Sequence, residues 1–172
     1  MPEVAPPDRQ FIAQDRRFAA TLRGDVLAAA LTCCVEAGRN ETGGVILGRY
    51  SETLDCAEIH ELGPPPPGSR ATRTSFYRGI GGLQERLRLH WREGLYYLGE
   101  WHFHPFAAPT PSTADIQQIQ AISTDSQYHC PEPLLIIVGA DPRELVRLGV
   151  FVCPRGGRIV ELAERRREAV PA

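Results

Sequence analysis

Two periods run through the apolar positions of this chain, one near 3.6 residues and one of 2. Between Gly24 and Ala37 the residues Val26, Ala30 and Cys34 follow i, i+4, i+8, with Leu27 and Leu31 beside them. That spacing predicts an amphipathic helix, with Asp25 at the positive end of its dipole and Gly38 as its stop. Leu83, Leu87, His90 and Trp91 predict a second helix over Gly81 to Glu93, with Arg and Glu on its outer face. A third begins at Ser112, turns Ile116, Ile119 and Ile122 inward, and ends before Cys130-Pro131.

Strands are expected between these helices. The Val45-Ile46-Leu47 run follows Gly43-Gly44, two glycines that allow close backbone approach, and Leu54 to Leu62 is its partner across a turn at Ser51. Tyr96 to His104 is aromatic and is stopped by Pro105; Leu134 to Gly139 and Leu145 to Val152 follow, and a Gly156-Gly157 turn leads into Arg158 to Leu162. Gly63 to Ser69 is a loop, because four consecutive prolines remove four donors. Thr72 to Tyr77 after it is expected to be a short strand. Gln10 to Leu22 fits either a strand or a short helix. Strands and helices mixed around one sheet, without repeats, give an α/β or α+β class.

Composition narrows the picture. A chain of 172 residues fits one domain over 1–172, since a core of this size buries roughly 70% of the surface the unfolded chain exposes. The apolar fraction of 42% and charged fraction of 23% exclude a disordered or fibrous chain. A net charge of -2 gives no basis for nucleic-acid binding, which needs a clustered basic face. Arg165-Arg166-Arg167 is flanked by Glu164 and Glu168 and reads as a solvated helical tail. The start MPEVAPPDRQ lacks the apolar run of a secretory signal, and the run Leu134 to Gly139 is too short to span a bilayer, so no membrane role and a cytoplasmic location are expected. Five cysteines, at 33, 34, 56, 130 and 153, include no C-x-x-C pair, so reduced thiols are expected rather than a disulfide framework or a cysteine metal site.

The chemistry concentrates in GEWHFHPFAAPTPSTAD, Gly99 to Asp115. In a strand His102 and His104 face one side, about 7 Å apart at Cα, while Phe103 turns to the other. Two imidazoles can then converge on one ion. A hydrolytic zinc site takes three protein ligands and keeps one position for water. Asp115 is the candidate third ligand, because the loop Phe106 to Pro111 reverses the chain and the first helical turn returns a carboxylate toward the strand end. Such an ion lowers the pKa of bound water toward 7, and a glutamate outside the ligand set is then needed as general base. Two plainer readings stay open on these residues alone: Ser112-x-x-Asp115 is also a helix N-terminal cap, and a histidine pair in a strand can be ordinary hydrogen-bonded structure.

The run His102-Phe-His104-Pro105, followed by Ser112-x-x-Asp115 and preceded by Glu41 in a Glu-Thr-Gly-Gly-x-x-x-Gly setting, resembles the JAMM (JAB/MPN+) metalloproteases. The likeness extends in element order from Gly24 to Leu162. It implies a mixed α/β JAB/MPN-type fold, with a single curved mixed sheet flanked by helices. It also implies zinc on His102, His104 and Asp115, Glu41 as general base and then acid, and Ser112 stabilising the oxyanion. Family members cleave after the C-terminal glycine of ubiquitin or ubiquitin-like proteins, and some bacterial members act on sulfur-carrier tails. Phe103 departs from the Ser or Thr that many relatives carry there, which bears on packing or substrate preference.

By that resemblance the short chain is a stand-alone isopeptidase of a bacterial ubiquitin-like conjugation operon, including antiviral defence systems, with E1-like and E2-like partners. The Thr72-to-Tyr77 segment, with Arg73 and Phe76, is expected to line the groove for the substrate tail by strand addition. Arg155-Gly156-Gly157 looks like a ubiquitin tail but lies between two strands, where a hairpin turn fits better. Competing classes are a sulfur-carrier or peptide-processing hydrolase of the same chemistry, a non-catalytic MPN scaffold, and a zinc nucleobase deaminase. The last needs His-x-Glu and Pro-Cys-x-x-Cys, whereas this chain offers Cys130-Pro131-Glu132-Pro133.

Overall fold

The computed structural model describes residues 6–140 and 146–165. Ten strands and three α-helices run in the order β1 (Arg9–Ala13), β2 (Ala19–Leu22), α1 (Gly24–Ala37), β3 (Thr42–Tyr50), β4 (Cys56–Leu62), β5 (Arg70–Ala71), β6 (Phe76–Tyr77), α2 (Leu83–Arg92), β7 (Tyr96–Pro105), α3 (Thr113–Thr124), β8 (Leu134–Ala140), β9 (Arg147–Val152) and β10 (Val160–Glu164). Gln10 to Leu22, open in the sequence, is a hairpin of β1 and β2, with Phe11 opposite Ala20. The expected α/β class holds, and the curvature of the mixed sheet goes to closure in the order β1-β10-β9-β8-β7-β3-β4-β2, with β2–β4 and β7–β8 parallel.

Alternation along the strands gives this sheet two apolar faces. Leu134, Ile136 and Val138 of β8 join Trp101 and Phe103 of β7 in one core, which also packs Val26, Leu27, Ala30 and Cys34 of α1. Leu135 and Ile137, one residue out of phase, join Phe151, Cys153 and the α3 residues Ile119 and Ile122 in a second core. Burying Ile119 and Ile122, 1% and 3% exposed, contributes about 1.5–3 kcal/mol each toward docking α3. Trp101 is fixed further by an indole N–H donated to Gly63 O at 2.8 Å. β7 therefore turns Trp101 and Phe103 to the α1 side and Glu100, His102 and His104, with Tyr97, to the α3 side.

Several elements depart from expectation. Thr72 to Tyr77 is not one strand: β5 and β6 form a two-stranded hairpin, Arg70 opposite Tyr77, and residues 72–75 make the turn, closed by Thr72 N–H to Ser75 O at 2.9 Å. The hydroxyls of Thr72 and Ser75, 2.7 Å apart, favour that reversal over an extended run. The second helix forms as α2, but none of its residues is fully buried and Trp91 is 65% exposed. The helix is tied down instead by an ion pair of Arg86 with Glu61 on β4 and by a contact of His90 Nε2 with the same carboxylate at 2.9 Å. Gly38 ends α1 at φ 65°, as expected. Gly156, at φ 68°, sits in a turn closed by Gly157 N–H to Pro154 O, so the Arg155-Gly156-Gly157 triplet is a hairpin turn. All five cysteines are free, with Cys34, Cys130 and Cys153 buried. The Arg166-Arg167 part of the basic tail, and the expected start of β9 at Leu145, lie outside the described residues.

Candidate metal centre

β7 and the start of α3 bring together the residues that the sequence singled out. One ligand atom each from His102, His104 and Asp115 lies within 4.8 Å of the other two, and among the described residues this is the one such cluster of three or more. His102 Nδ1 is 2.7 Å from Asp115 Oδ1, and His104 Nε2 is 3.4 Å from Asp115 Oδ2. All three residues are buried, at 3%, 8% and 7% exposure.

Ser112 and Asp115 are at the same time a helix cap. Asp115 N–H donates to Ser112 Oγ at 3.2 Å, while Ser112 N–H and Oγ–H both donate to Asp115 Oδ2 at 2.7 Å. The capping reading and the site reading thus describe one arrangement: the cap takes Oδ2 and aims Oδ1 at His102. Burial alone would raise the Asp115 carboxyl, but hydrogen bonds from His102 and His104 outweigh it and hold the group far below the usual carboxylate range. Burial would likewise lower His102, yet its hydrogen bond to Asp115 and the nearby Glu100 carboxylate push it up to about 9.

Glu41 immediately precedes β3, whose register sets Thr42 opposite Phe103 and Gly43 opposite His102, so Glu41 comes at the His104 end of β7. It is half-buried, and its N–H donates to Thr72 O at 2.8 Å, linking it to the β5–β6 hairpin. Burial pushes its carboxyl above the ordinary glutamate range; His104 opposes that shift, Asp115 adds to it, and His102 opposes it more weakly. Gly43 leaves the room the cluster needs. A Cβ there would stand 2.3 Å from Trp101 O, 3.0 Å from the His102 ring and 3.1 Å from the Phe76 ring. Phe76 presents its ring to His102, centroids 5.7 Å apart at an interplanar angle of 70°, whereas Arg73 is exposed at the hairpin turn.

One group of residues escaped the sequence reading. Glu100, 1% exposed, accepts from Arg78 Nε at 2.7 Å, Tyr97 OH at 3.2 Å and Gln118 Nε2 at 2.7 Å. The signal was available: a lone carboxylate inside an apolar strand, two residues before His102 and so on its face.

The donor set suits a divalent ion. Two imidazoles and one carboxylate converge, the carboxyl stays ionised, and no Cβ at position 43 crowds the ring. Residues 24–149 match the family model described as prokaryotic homologs of the JAB domain. The chain belongs to this family. A relative from Enterobacter hormaechei subsp. hoffmannii (strain UCI 50), named CD-NTase/cGAS isopeptidase, is 40% identical over 157 residues, covering 91% of this chain and 87% of the relative. A second, named probable metalloprotease y4qB, from Sinorhizobium fredii (strain NBRC 101917 / NGR234), is 29% identical over 106 residues, covering 59% and 64%. The solution structure of protein DSY2949 from Desulfitobacterium hafniense shares the fold, with a TM-score of 0.57 at 18% identity over 81% of this chain and 86% of that one.

This JAB-domain protein is a metal-dependent hydrolase of the JAMM isopeptidase/metalloprotease type. The scaffold and deaminase alternatives give way to that assignment. No helix among the described residues is long and apolar enough to cross a membrane.

Proposed function

We propose that this JAB-domain protein is a zinc-dependent isopeptidase that cleaves after the C-terminal glycine of a ubiquitin-like protein. In this reading it reverses conjugation made by E1-like and E2-like partners in a bacterial antiviral defence pathway. The whole chain acts as one domain, in the cytoplasm, where five free thiols are at home. The observation that carries the reading is the convergence of His102, His104 and Asp115 with Glu41 at the same end of the sheet. The name of the relative that is 40% identical supports the isopeptide bond and suggests the conjugated target, a CD-NTase.

His102, His104 and Asp115 hold the ion, which when bound acidifies water and polarises the scissile carbonyl. Glu41 takes the proton from the attacking water and later delivers it to the leaving lysine amine. Burial raises its carboxyl, which is the direction that suits a group that must first take a proton and then give it back. Ser112, exposed at the N-cap of α3, turns its hydroxyl from Asp115 Oδ2 to donate to the oxygen on which negative charge develops. The hairpin that carries Phe76 lies against the cluster, and its short strands offer backbone groups to an extended, glycine-ended tail.

The test is Glu41→Gln, assayed on a CD-NTase joined through an isopeptide bond to a ubiquitin-like protein, with zinc content measured alongside. Cleavage is expected to fall by several orders of magnitude with one zinc retained per chain. Retained cleavage would remove Glu41 from its role. A parent enzyme inert on this conjugate but active on a sulfur-carrier fusion would move the substrate to that branch.

A further inference from the structure

Among the described residues, one buried side-chain nitrogen has no hydrogen-bond partner: His102 Nε2. It does not face apolar surroundings. Glu100 Oε2 lies 3.8 Å away, on the side of the ring remote from Asp115, whose Oδ1 is 2.7 Å from Nδ1. The two carboxylates bracket one imidazole. Asp115 is itself a candidate ligand, whereas Glu100 stands behind the ring, two residues earlier on the same face of β7.

Glu100 is held in place with unusual completeness. Arg78 and Tyr97 occupy Oε1 and Gln118 occupies one site on Oε2, which keeps further acceptor capacity with His102 Nε2 3.8 Å away. Arg78 in turn donates to Gly79 O and reaches Tyr128 OH, both at 3.4 Å. A buried ion pair with well-packed partners adds little net stability compared with apolar residues of the same shape, so stability alone is a weak reason to keep one here.

We propose that Glu100 is a positioning residue for the metal site: it accepts the proton on His102 Nε2, fixes the ring, and leaves the Nδ1 lone pair aimed at the ion. The inference rests on reading His102 as a metal ligand. A carboxylate behind a ligand histidine selects the tautomer and raises the basicity of the coordinating nitrogen. The remaining motion in the site is small, since closing 3.8 Å to hydrogen-bond distance needs a shift of about 1 Å.

Two measurements test this. The first compares zinc affinity, by competition with a chromogenic chelator, between the parent and the double variant Arg78→Met/Glu100→Leu. Both charges are removed together so that neither is left buried alone. A loss of about 10–100-fold is expected. An affinity within threefold of the parent, in a variant that unfolds at a similar temperature, would reduce Glu100 to a counterion for Arg78. The second uses the zinc-loaded parent with 15N-labelled histidine, in which His102 should carry its proton on Nε2 and show the metal-induced shift at Nδ1. A proton on Nδ1 would overturn the assignment, and this measurement decides alone if the double variant does not fold. A parent that takes up no zinc is a separate outcome, seen before any variant is made, which removes the metal-site reading and this proposal with it.

Discussion

Ser112 and Asp115 satisfy each other at the head of α3, each backbone N–H donating to the other's side chain. One pair therefore serves a helix end and a candidate metal ligand. The two services can be separated by Ser112→Ala. Loss of the cap is expected to cost about 1 kcal/mol of stability, visible as a modest drop in unfolding temperature. Loss of the oxyanion donor should lower kcat by about 10²–10³ with zinc still bound. A kcat change no larger than the stability change would leave Ser112 as a cap only.

Zinc uptake should depend on pH through His102. In the metal-free protein the Asp115 and Glu100 carboxylates hold this imidazole protonated up to about 9. Its folded pKa is raised above the ordinary 6.5, so the stability from these contacts is complete below about 6.5 and lost as pH rises through 9. A ligand nitrogen must be free of its proton, so zinc displaces one proton from His102 at neutral pH. The apparent affinity should climb about tenfold per pH unit between 7 and 9 from this group. Calorimetry at pH 7 in buffers of different ionisation enthalpy should find at least one proton released per zinc. No release would contradict the raised value.

Gly43→Ala tests the packing around the ring. The added methyl would collide with backbone, Trp101 O at 2.3 Å, which cannot rotate away, and would press on the His102 and Phe76 rings. Overpacking of this kind costs roughly 1–3 kcal/mol. Because β3 must shift against β7, zinc affinity should fall together with unfolding temperature. A variant with parental zinc affinity would mean that the strands yield elsewhere.

How far the sequence discloses this molecule depends on the range of the interactions involved. α1 is legible to its ends, Gly24 and Ala37, because its apolar stripe, its acidic first turn and Gly38 agree. The strands β3, β7 and β8 are legible as apolar runs bounded by glycine or proline. The β1–β2 hairpin is not, since strands of five and four residues are too short for either period to declare itself, and the reversal uses Arg16 at φ 60° rather than a glycine. The exposure of Trp91 is equally hidden: spacing places a residue on a face of α2 but does not say whether anything covers that face. At the site, spacing singles out His102, His104 and Asp115 as candidates but leaves a helix cap and ordinary structure open as readings, while Glu41, 61 residues before His102, is connected to them only through the β3–β7 register or through family likeness. Glu100 was overlooked because its partners Arg78 and Gln118 come from different elements, which periodicity within one strand cannot show.

The hairpin that approaches the site provides the last prediction. Phe76 touches the His102 ring edge-on, and Thr72 O accepts from Glu41 N–H, so the β5–β6 unit is coupled to both a candidate ligand and the candidate base. Arg73, at the exposed turn, has no such tie. Replacing both Arg73 and Phe76 by alanine should leave zinc content intact and weaken turnover of a folded conjugate, with the larger share from Phe76, about tenfold or more for the loss of an aromatic contact beside the tail. The single variants apportion the effect: if the tail runs along β6, Phe76→Ala raises KM strongly and Arg73→Ala alters it little. Turnover unchanged in the double variant would exclude the hairpin from the substrate groove, and the tail would then have to reach Glu41 from the side of α3.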